Sequence, residues 1–295
     1  MTRIDAHLHV FAEVSDAFPR ETTEVYPANR EEPVEKLMES MAQFGIDRAV
    51  LVQMGGAEMK HHAYLQHCLS RYQDKFLGIG LIPSDCDSPA DHMDRLSEDG
   101  RIIGFRLGAL GGLADPLAPV DVKTFGTYPI WKRAAEKDYV LWLYPRAVDA
   151  QACAFLIDAF PQVRIVFNHL MVCPGEGRFT WDEFGRPRID TPMPPITRHS
   201  LQNLYQYENV NVLLSGQYAF SKEDYPYSDL AAWHQSLRSK FGSERLMWAT
   251  DFPWILEEPG YGNLVKVIDE MIPDLSEKER ADIMGETAKR VLRFQ

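Results

Sequence analysis

The 295-residue chain has few basic residues for its acidic content: 31 lysines and arginines stand against 43 aspartates and glutamates, for a net charge of −12. Unaided binding to nucleic acid or to an anionic membrane requires basic patches, so neither partner is expected. No apolar run reaches 18 residues, which excludes an apolar membrane-spanning helix. The charge disfavours these two partners without identifying another; the small-molecule substrate is predicted from the strand-end residues described below.

Cysteine is also scarce, and the four thiols are widely spaced without any Cys-x-x-Cys pair. This spacing excludes a zinc knuckle and a disulfide framework. No signal peptide is expected, because Asp5 and the neighbouring histidines interrupt any apolar run near the first residue. A reducing compartment, the cytoplasm, is the expected location.

Short apolar runs alternate with helical patterns along the whole chain, which predicts a (β/α)₈ TIM barrel forming a single domain over residues 1–295. A doubly wound open sheet is the competing fold, but no Gly-x-Gly-x-x-Gly follows the first strand. The predicted strands are 4–11, 48–54, 76–82, 102–107, 139–144, 163–169, 210–215 and 245–251. The predicted helices are 35–44, 60–73, 88–98, 129–137, 149–160, 197–207, 227–241, 261–272 and 275–293.

Two stretches interrupt this alternation and are predicted to be long loops. Residues 11–32 follow the first strand, and residues 171–196 follow the sixth. Loops after barrel strands lie on the face that carries the active site, so both are expected to act as lids or specificity elements.

The first strand carries two histidines with one residue between them. Side chains alternate along a strand, so Asp5, His7 and His9 are predicted to share one face while the intervening apolar residues share the other. The imidazoles of His7 and His9 would then be close enough to converge on one ion. A pair of solvated histidines on an edge strand is the alternative.

Polar residues occupy the ends of seven of the eight predicted strands. Catalytic groups of this fold lie at the carboxyl ends of strands, and polar groups are costly to bury unless they are paired or ligated. The set is therefore predicted to form the active site. Its members are His7, His9, Gln53, Arg106, Tyr144, His169, Ser215 and Asp251.

Four of these residues can surround one divalent cation: His7, His9, His169 and Asp251. This set of nitrogen and oxygen ligands favours zinc, with manganese as the second candidate. A bound ion would lower the pKa of a coordinated water. Asp251 could also act as the general base that takes a proton from the attacking water, and the two roles are compatible.

Arg106 is predicted to clamp a substrate carboxylate or an oxyanion, with a structural ion pair as the alternative. Tyr144 could donate to a carbonyl oxygen or fill the barrel with its ring. Among the tryptophans, Trp142 is predicted to be a packing residue. Four further residues are predicted to contact substrate: Gln53, Ser215, Trp254 and His62.

These residues resemble the amidohydrolase superfamily, in particular the amidohydrolase-related branch that includes 2-pyrone-4,6-dicarboxylate lactonase and sugar-acid lactonases. The resemblance covers nearly the whole chain and implies a TIM-barrel hydrolase that opens a lactone or similar cyclic ester. The matching segments are 4–9, 104–107, 167–169, 214–216 and 248–253.

One departure from the superfamily concerns strand five, where most members have a histidine ligand and this chain has Tyr144. The decarboxylases of the superfamily depend on that histidine, so a decarboxylase or hydratase of a small aromatic-derived acid is the second reading. The dicarboxylate lactonases have a tyrosine there and include enzymes that need no metal. The resemblance thus leaves metal-independent hydrolysis open, with Asp251 activating water.

A second departure concerns charge. The pyrone dicarboxylate lactonases bind a second carboxylate through further arginines, whereas Tyr218-Ala219-Phe220 and the loop 108–113 contain no cation. We therefore expect a substrate with one negative charge or none. A homodimer is a further expectation, because many barrels associate through their helices; a ligand-binding barrel without activity is the non-enzymatic alternative.

Overall fold

The computed structural model describes residues 2–111, 119–175 and 177–294. Eight parallel strands form one sheet in which each strand pairs with the next parallel strand along the chain, and helices follow the strands. Two further strands, β7 and β8, form a separate hairpin that is described below. The strands are β1 (Ile4–Leu8), β2 (Arg48–Val52), β3 (Phe76–Leu81), β4 (Ile102–Leu107), β5 (Val140–Leu143), β6 (Ile165–Phe167), β9 (Val210–Leu214) and β10 (Leu246–Trp248). The predicted (β/α)₈ barrel in a single domain is confirmed.

The helices pack around the outside of the sheet. Those that come first are α1 (Val34–Phe44), α2 (Ala63–Arg71), α3 (Pro89–Leu96), α4 (Tyr128–Lys137), α5 (Cys153–Ala159) and α6 (Arg198–Leu201). They are followed by α7 (Gln217–Phe220), α8 (Ala231–Phe241), α9 (Tyr261–Leu264), α10 (Val267–Met271), α11 (Glu277–Ala281) and α12 (Thr287–Leu292). The last two predicted helices are therefore each divided, and a π-helical turn at Asp282–Glu286 joins α11 to α12. No helix of the described ranges is long and apolar enough to cross a membrane.

The barrel closes where β1 meets the segment that follows β10. Two backbone hydrogen bonds make this junction: Asp251 N donates to His7 O at 3.0 Å, and His9 N donates to Phe252 O at 2.7 Å. The buried carboxylate of Asp5 adds a third connection, because it accepts hydrogen bonds from the backbone N and the hydroxyl of Thr250. Closure thus brings the first strand of the barrel next to the segment that follows the last strand.

Two layers of apolar side chains form the core. The interior of the barrel holds residues such as Val50, Trp142 and Leu213, and residues of α12 pack against this group. The larger layer lies between the outer surface of the strands and the helices. Burial of both strand surfaces explains why the strands read as continuous apolar runs.

The predicted arrangement of side chains on β1 is wrong for Asp5. The register of β1 against β2 shifts between Asp5 and Leu8, as at a β-bulge. Ile4 and Ala6 lie in the barrel interior, whereas Asp5 lies on the other side, where it accepts a hydrogen bond from Tyr261 OH at 2.9 Å. The extra residue at the bulge is what lets His7 and His9 face the barrel mouth without Asp5.

The long loop predicted over 171–196 carries secondary structure that the sequence did not indicate. This segment contains an antiparallel hairpin of β7 (Arg178–Trp181) and β8 (Pro187–Asp190). The other predicted loop, 11–32, is irregular apart from an isolated antiparallel bridge between Phe11 and Glu32. Both segments lie on the catalytic face, as expected.

Candidate active site

A cavity of about 300 Å³ opens at the carboxyl ends of the strands. Its polar lining comes from His9, Tyr26, Arg106, Tyr144, His169, Tyr218 and Asp251, and its apolar lining includes Met54, Leu81, Phe179, Trp181, Ile189, Phe220 and Trp254. A larger cavity of about 540 Å³ lies at the opposite end of the barrel, around Arg48, Arg164 and Phe294. It contains none of the predicted catalytic residues, so we assign the site to the smaller cavity.

Asp251 is held on the cavity floor by several contacts. Its Oδ2 accepts a hydrogen bond of 2.7 Å from Tyr218 OH. Its Oδ1 has no hydrogen-bond partner among the described residues, but lies 3.6 Å from His7 Nε2 and 3.5 Å from His9 Nε2. One carboxylate oxygen is thus fixed while the other faces two imidazoles.

Burial raises the pKa of Asp251 to about 7, although the hydrogen bond from Tyr218 and the positive charge of Arg106 both lower it. At a pH near 7, a carboxyl group with this pKa is present in both protonation states. Such a group can take a proton and return it, which is the requirement for general acid–base catalysis.

His9 and His169 stay neutral because burial, together with the charge of Arg106, lowers the pKa of each to about 3. The Nδ1–H of His9 donates to Val52 O at 2.8 Å, which leaves a lone pair on Nε2. His169 Nδ1 lies 2.9 Å from Ser215 Oγ. Each ring is therefore oriented by a group below the cavity floor.

His7 has a different protonation pattern, set by Trp142. The indole N–H of Trp142 donates to His7 Nδ1 at 3.0 Å. An indole can only donate, so Nδ1 must be an acceptor and the neutral ring must carry its proton on Nε2. Both side chains are fully buried, and an unpaired buried indole N–H would cost about 1–3 kcal/mol. The bond thus fixes the tautomer of His7.

This tautomer conflicts with the predicted metal site. His7, His169 and Asp251 each place one potential ligand atom within 4.8 Å of the others, and His7 Nε2 and Asp251 Oδ1 are buried without hydrogen-bond partners in the part of the chain that the structure describes. Distances alone would suit an ion. However, a nitrogen that carries a proton offers no lone pair to a metal. His7 therefore does not fit the ligand set, and His9, although its Nε2 lies 3.5 Å from Asp251 Oδ1, is not one of the three residues whose potential ligand atoms lie this close together.

The backbone is strained at two of the site residues. His169 has φ of 42° and Asp251 has φ of 62°, in the left-handed region that side chains rarely adopt. Such conformations cluster at active sites, where the surrounding structure enforces them. Gly216 contributes to this packing, since a Cβ at that position would lie 3.0 Å from His169 Nδ1.

Three predicted substrate contacts are not brought to the cavity. Gln53 Nε2 donates to the backbone oxygens of residues 54, 56 and 61, which fixes the loop after β2. His62 is fully buried, with Nδ1 on Glu58 O and Nε2 accepting from Leu81 N. The Ser215 hydroxyl is used by His169. These three side chains hold the site together, and only Trp254 of the four lies on the cavity wall.

Several site residues were missed by sequence reasoning. Tyr218 binds Asp251, and its position shortly after a strand was the available signal. Trp142 was assigned to packing because it sits in an apolar strand. Phe179 and Trp181 line the cavity from a segment that was predicted to be a loop. Glu176 and residues 112–118, including part of the loop 108–113, lie outside the described residues.

The barrel and its mouth of histidines, arginine and aspartate define an amidohydrolase-type site. The chain belongs to the amidohydrolase family: the family model matches residues 4–294. It is 23% identical to D-galactarolactone isomerase of Agrobacterium fabrum (strain C58 / ATCC 33970), over 82% of this chain and 75% of the relative. It is 22% identical to 4-sulfomuconolactone hydrolase of Rhizobium radiobacter, over 92% and 84% respectively.

Solved structures show the same fold. A probable 2-pyrone-4,6-dicarboxylic acid hydrolase from Acinetobacter baumannii, with citric acid bound, superimposes with a TM-score of 0.74 at 17% identity, covering all of both chains. An amidohydrolase from Burkholderia multivorans with bound zinc gives 0.71 at 20% identity, also over all of both chains. A protein of this fold thus binds a metal ion. In this chain, the protonation state of His7 decides whether His7 could act as a ligand.

We predict that the ¹⁵N shifts of His7 show the proton on Nε2, and that Trp142→Phe abolishes this preference by removing the donor to Nδ1. The measurement is a long-range ¹H–¹⁵N correlation spectrum of the side chains. His62 is the internal control, because its bonds to Glu58 O and Leu81 N require the opposite tautomer in both proteins. A wild-type His7 with its proton on Nδ1 would contradict the assignment.

Proposed function

We propose that the protein hydrolyses a lactone or similar cyclic ester, with Asp251 as the general base and without a metal ion in the catalytic step. The observation that carries this proposal is the Asp251 carboxylate, which lies on the floor of the cavity beside neutral histidines and Arg106. The lactone activities named for both relatives support the substrate type.

In the first step, a water molecule attacks the carbonyl carbon of the ring and Asp251 takes its proton. The C–O bond forms and the carbonyl becomes a tetrahedral oxyanion. Arg106 lies on the same cavity wall and is the permanent positive charge available to stabilise that oxyanion. Burial makes this attraction stronger than it would be in water.

In the second step, the oxyanion collapses and the ring C–O bond breaks. The leaving oxygen takes the proton from Asp251, which returns to its carboxylate form and releases a hydroxy acid. Tyr218 holds Asp251 Oδ2 throughout, and His7 Nε2–H faces the other oxygen. The Tyr218 hydrogen bond stabilises the ionised carboxylate between turnovers.

Asp251→Asn should lower kcat for lactone hydrolysis by about 10²–10⁴-fold, because the amide cannot accept the proton of the attacking water. The measurement is lactone hydrolysis followed by proton release, with thermal unfolding as a check on folding. Asp274→Asn is the matched control, since that side chain is 74% exposed and pairs with Arg238. A near-normal rate in Asp251→Asn would refute the proposed base.

The pH profile should reflect the pKa of Asp251. Below about pH 7 the carboxyl is protonated, so log kcat/KM should fall by about one unit for each unit of pH. His9 and His169 remain neutral there and add no step. Tyr218→Phe removes a hydrogen bond that favours the ionised form, so the rising limb should move to higher pH.

The control for that variant is Tyr205→Phe, because Tyr205 is 41% exposed and outside the cavity lining. Its profile should match that of the wild-type protein. If the rising limb of the pH profile does not move in Tyr218→Phe, the ionisation seen in the profile does not belong to Asp251.

Removal of metal should leave hydrolysis unchanged to within about twofold, since His7 offers no lone pair. The experiment combines chelation with elemental analysis of tag-free protein, then re-addition of zinc or manganese. Trp142→Phe tests the cause, because a His7 freed from the indole could ligate an ion. Loss of wild-type activity on chelation, with recovery on adding the ion, would overturn the metal-free step.

A further inference from the structure

The cavity has a polar floor and an apolar wall. Beside Asp251 and Arg106, the lining includes a group of apolar side chains, among them Phe179 and Trp181 of the hairpin together with Phe220 and Trp254. The ring centroids of Trp181 and Trp254 are 6.1 Å apart, and those of Phe179 and Trp181 are 5.1 Å apart. The wall is therefore an aromatic surface rather than a hydrogen-bonding one.

The hairpin β7–β8 is fastened over the cavity at two points. Arg188 donates to Tyr218 O at 2.5 Å and to Ser221 O at 3.2 Å. Arg186 is mostly buried and forms ion pairs of 2.7 Å with Asp182 and 2.8 Å with Glu258. These bonds hold the strand that carries Phe179 and Trp181 in place, although both rings remain about half-exposed.

Arg106 is the single lysine or arginine among the described residues that line this cavity. The neighbouring cations have other partners: Arg186 and Arg188 hold the hairpin, and Arg30 donates to Val25 O and stacks on Trp254. Residues 112–118, which follow β4 in the sequence, contain no lysine or arginine. A second anionic group of a substrate would therefore have no cationic partner, and burying it would be unfavourable.

On the basis of the proposed function, we infer that the substrate is a small cyclic ester with an apolar or aromatic substituent and at most one anionic group, which shares the donors of the Arg106 guanidinium with the ester carbonyl. The substituent packs against the aromatic wall while the ester carbonyl meets Asp251. A sugar lactone would lose hydrogen bonds to water against this wall, and a dianionic lactone would bury one charge without a partner. The chain thus differs in specificity from relatives whose names imply polyhydroxylated or doubly charged lactones.

The test compares kcat/KM for four probes. They are γ-phenyl-γ-butyrolactone, which is neutral, its carboxylated analogue phenylparaconate, 2-pyrone-4,6-dicarboxylate and D-galactono-1,4-lactone. We expect the phenyl lactones to exceed the other two by at least about 100-fold. A preference for the dicarboxylate or the sugar lactone would overturn the inference while leaving lactone hydrolysis intact. No turnover of any probe would instead refute the proposed function.

Two further measurements keep the inference separate from turnover. Trp181→Ala should lower kcat/KM for the phenyl lactones by about tenfold, mainly through KM, because it removes part of the wall. Phe184→Ala is the matched control: Phe184 lies in the turn of the same hairpin, is 45% exposed and does not line the cavity. Equal effects of the two substitutions would contradict a specific role for the wall.

Binding can also be measured without catalysis, in Asp251→Asn protein, from quenching of tryptophan fluorescence. We expect 3-phenylpropanoate, an aromatic monoanion, to bind at least about tenfold more tightly than citrate, which carries three carboxylates. Tighter binding of citrate would overturn the inference even if no lactone were hydrolysed.

Discussion

The closure of the barrel between β1 and the segment after β10 is the interaction on which the site depends. Two backbone hydrogen bonds join His7 and His9 to the stretch that carries Asp251. The same bonds that complete the sheet therefore set the distances between the imidazoles and the carboxylate. Asp5 reinforces this junction from the outer layer through Thr250 and Tyr261. The buried network resists displacement because each of its polar groups would be costly to leave unpaired.

Burial then determines the charge state of the site. It lowers the pKa of the three histidines and raises that of Asp251, while Arg106 keeps its charge despite desolvation. The cavity floor thus has one permanent cation, one carboxyl near its titration midpoint and three neutral rings. This distribution suits a reaction in which negative charge appears on a carbonyl oxygen and one proton moves out and back. Burial of the floor residues strengthens these interactions relative to water.

Much of the fold followed from periodicity, because strands buried on both faces and amphipathic helices leave distinct patterns. The polar strand ends, such as Arg106, His169 and Asp251, could be assigned to the mouth by the logic of the barrel alone. The bulge in β1 could not, since an inserted residue changes which side chains share a face without changing the sequence pattern. The role of Trp142 could not be predicted for a related reason. A tryptophan in an apolar strand is interpreted as a packing residue unless the hydrogen-bond partner of its indole across the barrel is known. His62 and Gln53 look functional, but their polar atoms are used by the backbone.

The attachment of the hairpin has a consequence for how this barrel can change over generations. Arg188 donates hydrogen bonds to the main-chain oxygens of Tyr218 and Ser221, and these oxygens are present whatever side chains the two positions carry. Residues that line the cavity from this hairpin, such as Phe179 and Trp181, can therefore be exchanged without detaching the hairpin or disturbing the Tyr218 hydroxyl that holds Asp251. Recognition and bond cleavage are in this sense separable modules, so the pocket wall is free to diversify while the proton-transfer machinery beneath it stays constant.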